Sequence, residues 1–344
     1  MVSGEIVLVL KKFLFLILII IIGSVGFGFW SYQQAIKFTE QPVLLEKAQL
    51  IEVKPGTSYR KLIREFEKNK WVSNTKWARF THKISPELTE IKAGTYWIEP
   101  NQSLASVLTQ LKTGKEHQFS ITFVEGSRFS EWQAQLEQAP YLKHELSGLS
   151  EKEVANKLGI DRAKVEGLFL AETYHYTAGM SDFDILARSH KALVTVLNEE
   201  WQTKSVNLPL KSSYEALILA SIIEKETAID SERERVSSVF VNRLKRGMRL
   251  QTDPTVIYGM GDKYDGNIRK KDLRTPTAYN TYTINGLPPT PIAMAGPASI
   301  KAALHPETSR YLYFVADGTG GHKFTKSLVE HNKAVRAYLR TLRN

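Results

Sequence analysis

The chain has 344 residues, 46 basic against 36 acidic side chains for a formal charge of +10, and no cysteine. That length suits about two domains, and 42% hydrophobic with 10% aromatic residues excludes wholesale disorder. The missing cysteine excludes disulfides, Cys-ligated zinc or iron–sulfur centres and a thiol nucleophile. A pI near 9.4 favours an anionic partner such as nucleic acid, anionic lipid or an acidic polymer.

Residues 13–30, FLFLILIIIIGSVGFGFW, carry no charge. At ~1.5 Å per residue they span roughly 27 Å, close to the ~30 Å hydrocarbon core of a bilayer. Lys11 and Lys12 precede the run and Trp30 and Tyr32 close it, which predicts a single membrane pass with residues 1–12 as a cytoplasmic tail. The run exceeds the usual ~7–15 residues of a cleavable signal and no A-x-A site follows, so an uncleaved anchor is expected. Everything beyond about residue 31 is then extracytoplasmic. Nucleic acid drops out as a partner, leaving lipid or cell wall.

Residues 31–48 read as a short polar stem. In 49–115, Ile51 and Val53 alternate as in a strand, Pro55-Gly56 turns, and Ser58 opens a helix with Leu62, Ile63 and Phe66 on one face. Gly94–Ile98 reads as a second strand, and Ser103 caps a helix carrying Leu104, Val107, Leu108 and Leu111 that Gly114 stops. This small α/β unit carries no catalytic chemistry; it is a packing domain or a polymer-binding module.

From 118 the chain restarts with strand alternation and a Glu125-Gly126 turn. Residues 165–176 read as a loop, and 182–204 as a long helix with Phe183, Leu186, Ala187, Leu193, Val194, Leu197 and Trp201 on its apolar positions. Segment 212–247 reads as two helices opened by the capping boxes Ser212-x-x-Glu215 and Ser231-x-x-Glu234, the second with Val236, Val239, Phe240 and Leu244 inward. The first is apolar nearly all round from Ala216 to Ile223, so it should be central. Glu224 and Glu226 follow near its end, roughly 200° apart on the helix, so one can face a cleft while the other faces elsewhere. Ile222, Ile223 and Ile229 neighbour Glu226, and apolar surroundings together with the negative helix end raise a carboxyl pKa. A Glu that donates a proton at neutral pH needs that environment, although a Glu-Lys-Glu triplet on a helix is more commonly a solvated face.

In 249–296 the polar residues Gln251, Asp253 and Asn280 alternate with Tyr258, Tyr264, Tyr279 and Tyr282 between turn signals at Asn285-Gly286 and Pro288-Pro289. Tyrosine offers a stacking face and a hydroxyl, as sugar rings require, so a long ordered binding loop is expected. Residues 311–316 read as a strand and 317–324 as a glycine turn ending in His322. Neither a nucleotide fingerprint, a His metal cluster nor a G-x-S-x-G elbow is present, so no cofactor and no metal are expected.

IIEKETAIDSERERVSSVFVNRLKRGMRLQTDPTVIYGMG, TPTAYNTYTINGLPPTPIA and YLYFVADGTGGHKF resemble the signature blocks of the YceG-like endolytic murein transglycosylases. The likeness also takes in the anchor, KPGTSYRKLI, KAGTYWI and the Glu-Gly segments at 125 and 166, which is most of the chain. It implies an α+β protein of the cell inner membrane with a LysM-like subdomain (49–115) and a catalytic domain (118–344) in the periplasm. The family cleaves nascent peptidoglycan strands internally, leaving 1,6-anhydro-N-acetylmuramic acid ends. The family's catalytic glutamate maps onto Glu226, with Glu224 as the alternative. Gln251, Asp253, Tyr258, Asn280, Tyr282 and His322 are the candidate substrate contacts. The glycan strand, the cytoplasmic membrane and a peptidoglycan synthase are the candidate partners. Ala171-Glu172-Thr173-Tyr174 departs from the family's common Pro-Asp-Thr-Tyr and leaves Glu172 a weak candidate. Two other readings stand beside this one. One is a muramidase that hydrolyses the same bond with Asp253 or Glu172 as second carboxylate. The other is a membrane-tethered wall-binding scaffold without catalysis.

Overall fold

The computed structural model describes residues 2–342 and divides into two compact units, Met1–Phe119 and Ser120–Asn344. The first begins with α1 (Val2–Glu40), whose segment Leu10–Glu40 is long and apolar enough to cross a membrane, with a mean hydropathy of 2.6 in its most apolar window. Side chains from Leu10 to Trp30 are all exposed, as a lipid-facing helix requires and a core helix does not.

The polar stem expected at 31–48 takes another form. With no proline or glycine beyond Gly28, α1 continues to Glu40 and buries Ser31, Ala35 and Phe38. Residues 41–44 are then stitched to the unit: Val43 N–H donates to the Gln102 carbonyl (2.8 Å) and Leu44 N–H to that of Trp71 (2.9 Å).

Strand β1 (Gln49–Val53) pairs antiparallel with β2 (Gly94–Ile98), Ile51 opposite Tyr96. Between them lie α2 (Tyr59–Lys68), capped by Ser58 as its sequence predicts, and α3 (Ala78–Ile84). Helix α4 (Leu104–Thr113) follows, capped by Ser103 and ended by Gly114 at φ +73°. Leu62, Ile63, Phe66, Leu104, Val107, Leu108 and Leu111 form one core with Tyr96 and Ile98. Burying each such side chain contributes about 1.5–3 kcal/mol.

Strand β3 (Phe119–Thr122), which begins at the boundary with the second unit, pairs with β4 (Thr173–Tyr176), so the segment read as a loop at 165–176 ends in a strand. Helices α5 (Phe129–Gln138) and α6 (Glu151–Lys157) lie between them. Helix α7 (Asp182–Thr203) buries Ile185, Leu186, Ser189, Leu193 and Leu197, while Val194, expected inside, is exposed. Helix α8 (Ser213–Glu226) is the centre: every residue from Ala216 to Ile223 is buried, and α7, α9 (Asp230–Lys245) and α12 (Pro297–Leu304) pack on it.

Helix α9 starts two residues earlier than expected. Ile229 is its N-cap, Ser231 makes no capping bond, and Asp230 and Glu232 place negative charge in the first turn, where the helix dipole favours it. The stretch 249–296, expected as a long loop, contains α10 (Asp253–Met260), begun by Pro254 in its first turn, and α11 (Lys270–Arg274). The chain closes with the hairpin β5 (Tyr313–Ala316) and β6 (His322–Thr325), Ala316 opposite His322, and α13 (Leu328–Thr341), which rests on that hairpin without burying a residue.

Candidate active site

Because α8 is buried along its apolar length, its last residue emerges at a fixed point. There Glu226 enters the wall of a pocket of about 530 Å³ lined by Arg243, Gln251, Asp253, Tyr282, Tyr313, Phe314, His331 and Asn332, among others. The buried Thr252 hydroxyl donates to Glu226 Oε1. Burial pushes the Glu226 carboxyl up to about 7, and the Asp253 charge adds to this; the Thr252 bond and the charges of His322 and Arg243 pull the other way. Near neutral pH this carboxyl therefore holds a proton that it can give and take back.

Glu224, two residues earlier, points elsewhere. Its buried carboxylate accepts the Gly296 N–H at 3.0 Å and lies 3.9 Å from the Arg233 guanidinium. The rotation between helix positions separates the two carboxylates, as the sequence requires.

The loop residues divide. Gln251 lines the pocket with its backbone in the left-handed region (φ +52°), a conformation uncommon for a side chain of this kind. Asp253 opens α10 and accepts the Tyr282 hydroxyl at 2.6 Å, so both groups are held beside Glu226. Burial, then Asp253, raises the Tyr282 pKa and keeps the phenol protonated.

Asn280 is buried, and its amide is taken up by the loop itself: it donates to the carbonyls of Asp272, Leu273 and Thr275 and accepts from Tyr282 N–H (2.9 Å). It fixes Tyr282 and presents no group to the pocket. Tyr258 sits at the far end of α10, its ring 4.8 Å from that of Tyr279, under Arg128 and Lys164 and next to the buried Glu166. His322 is held from behind by Glu232, which accepts its backbone N–H (3.0 Å) and contacts Nδ1 (2.7 Å). Its ring meets Phe314 edge-on at 5.4 Å, and its charge acts on Glu226. Glu172 is exposed at the edge of β4, where its carbonyl accepts the Phe123 N–H.

Sequence reasoning missed Thr252, Arg243 and Glu232. Arg243 is buried: Nε donates to the Leu312 carbonyl and Nη1 to that of Leu250, both at 2.7 Å, and the guanidinium lies 5.0 Å from the Tyr313 ring centre. Its signal was available, since 243 continues the inward phase 236, 239, 240 at helical spacing, and a charge in that phase marks a buried, partnered group.

The pocket thus combines one proton-exchanging carboxyl, a second carboxylate, a cation and aromatic walls, a set suited to a sugar polymer. The chain matches the profile of the YceG-like family over residues 51–337. It is 31% identical over 308 residues to an endolytic murein transglycosylase of Bacillus subtilis, covering 84% of each chain. An endolytic murein transglycosylase of Streptococcus pneumoniae is 30% identical over 190 residues, 53% of this chain and 34% of that one. Among solved structures, a crystal structure of a YceG-like protein from Listeria monocytogenes superposes with a TM-score of 0.53 at 29% identity, over 84% of this chain and 99% of the other. From the core of the first unit to the helix that closes the second, this chain belongs to the YceG-like family.

Proposed function

We propose that the protein is a membrane-anchored endolytic lytic transglycosylase of peptidoglycan, with Glu226 as its acid and base. The observation that carries this reading is the Glu226 carboxyl, pushed up to about 7 by burial in a pocket of about 530 Å³. The names of the relatives from B. subtilis and S. pneumoniae support it.

In this reading Glu226 protonates the glycosidic oxygen between N-acetylmuramic acid and N-acetylglucosamine as the bond to muramoyl C1 breaks. The resulting carboxylate then removes the proton of the muramoyl 6-hydroxyl, whose oxygen closes on C1 to give a 1,6-anhydro end. Glu226 ends protonated as it began, and no water is consumed. Thr252 aims the carboxyl, while Gln251, Asp253 and Tyr282 grip the sugar. Cleavage of the nascent strand in its interior would terminate its elongation. The 49–115 unit serves as a LysM-like wall-binding module. The apolar part of α1 crosses the inner membrane with the N-terminus in the cytoplasm and both units in the periplasm, beside a synthase. Replacing Glu226 by Gln should lower the release of anhydro-muropeptides about 10²–10⁴-fold. An undiminished rate rejects the assignment.

Asp253 favours one alternative. A second carboxylate in the same pocket is what a hydrolase needs. Product mass separates the two, since reducing ends lie one water, roughly 18 Da, above anhydro ends.

A further inference from the structure

The first unit holds a second large concavity, of about 910 Å³, that the catalytic reading does not use. Arg60 and Arg64 from α2 and Lys76, Arg79 and Lys83 from 76–83 line it, all five exposed. Among the described residues none of the five is in an ion pair with a carboxylate. The one acidic residue of the lining, Glu67, is occupied by the Thr75 hydroxyl at 2.5 Å. Five cations against one carboxylate leave the hollow net positive and repel each other, and nothing in the core of this unit requires them.

The place of the hollow says what relieves that repulsion. The Trp77 ring stands edge-on to Trp30, the last residue of the apolar run of α1, at 5.2 Å. Phe80 lies 5.7 Å from Trp77, with the Arg79 guanidinium 4.8 Å from the Phe80 ring centre and the Lys76 ammonium 5.6 Å from that of Trp77. Helix α3 packs on the turns of α1 just past Trp30, where Ser31 and Ala35 are buried. From Trp30 to Ala35 the helix rises ~7.5 Å, and the polar layer on each side of a bilayer is roughly 5–8 Å thick. Where α1 crosses a membrane, then, Trp77 and Phe80 lie at the interface and the cations among the phosphates.

We infer that this hollow is a headgroup site for an anionic glycerophospholipid of the membrane that α1 crosses. Guanidinium groups pair with a phosphodiester through parallel N–H bonds, and aromatic rings beside them accept the glycerol and first methylenes. The carboxylates of a peptidoglycan stem peptide would also suit five cations. The contact between Trp30 and Trp77, which sets the hollow at headgroup depth, favours the lipid. The site would hold the first unit down on the bilayer surface. It rests on the membrane reading of α1 but not on catalysis by Glu226.

The test uses the full chain, purified in a non-ionic detergent and incubated with equal amounts of phosphatidylglycerol and phosphatidylcholine, with retained lipid counted by native mass spectrometry. Phosphatidylglycerol should be retained in preference. Retention should fall at least tenfold in the charge-reversed variant R60E/R64E/R79E/K83E and by less in the charge-keeping variant R60K/R64K/R79K, which loses the paired N–H bonds but not the cations. Equal thermal transitions in the three proteins confirm that folding is unaffected. Equal retention of both lipids, or loss of phosphatidylglycerol only in company with lowered thermal stability, overturns the site. Displacement of the lipid by millimolar inorganic phosphate reassigns it to a free anion, and displacement by soluble muropeptide to the stem peptide. Release of the chain from membranes by alkaline carbonate would defeat the membrane reading itself, a result distinct from any of these.

Discussion

Glu232 holds His322 at two points, accepting its backbone N–H at 3.0 Å and contacting Nδ1 at 2.7 Å, and so joins the first turn of α9 to the start of β6. The ring held in this way is one of the charges that draw the Glu226 pKa downward. Removing that charge in H322Q should therefore raise the Glu226 pKa above its value of about 7. The descending limb of the pH–rate profile, which follows loss of the Glu226 proton, should move to higher pH. A profile measured between pH 5 and 9 that does not move in H322Q separates the ring from the chemistry.

The carboxyl of Glu226 also links stability to pH. Its pKa is 4.5 in a solvated chain and about 7 in the folded protein. Below the lower value both states hold the proton and the group contributes nothing. As pH rises from there to about 7 the unfolded state ionises first, so stability falls, and above about 7 the penalty is constant. E226Q lacks this penalty and should be more stable than the parent above pH 7 by about 1–3 kcal/mol, with no gain below pH 4.5. Urea midpoints at pH 4 and pH 8 check both halves of the statement.

Glu166 is buried and its carboxyl, too, is pushed up to about 7 by that burial, yet it lies with Tyr258 and not with Glu226. One of its oxygens accepts the N–H of Phe129 at the start of α5, at 3.0 Å. Glutamine keeps an acceptor there, whereas alanine leaves a buried N–H and a cavity. E166A should lose about 2–4 kcal/mol and E166Q much less. Thermal unfolding of the two variants at pH 7 checks the difference.

Gly167 has φ +74°, and a Cβ there would run into the Pro291 ring. Neither the backbone nor the proline can yield cheaply, so G167A should cost about 2–4 kcal/mol through the packing of the 165–170 segment on the 291–293 segment. The measurement is again the unfolding midpoint; a loss below about half a kcal/mol would show that the segment relaxes.

These sites differ in how far the sequence announced them. The hydrophobic phase of α8 was enough to show that Glu224 and Glu226 face different ways, because rotation along one helix is a local property; which of the two enters the pocket was not legible from that phase, and the choice of Glu226 came from the family resemblance. Arg243 was legible in the same way but went unread, being a charge in an inward phase. The roles of Asn280, Tyr258 and His322 were not legible. Each is decided by partners 5 to 130 positions away: three backbone carbonyls for Asn280, the Glu166 and Arg128 neighbourhood for Tyr258, Glu232 for His322. The continuation of α1 past Trp30 escaped for a related reason. Residues 31–40 are polar in composition, and only the core they meet, at Phe38 and Val43, shows why they stay helical.

The central claim is that Glu226 closes an intramolecular ring on muramic acid instead of activating water. Full-length protein and E226Q are each incubated with purified, uncrosslinked glycan strands, and the ends formed are read by mass spectrometry. The parent should give new ends of the anhydro mass at internal positions and E226Q almost none. New ends of the hydrated mass from the parent, or anhydro ends from E226Q at the parental rate, would contradict it.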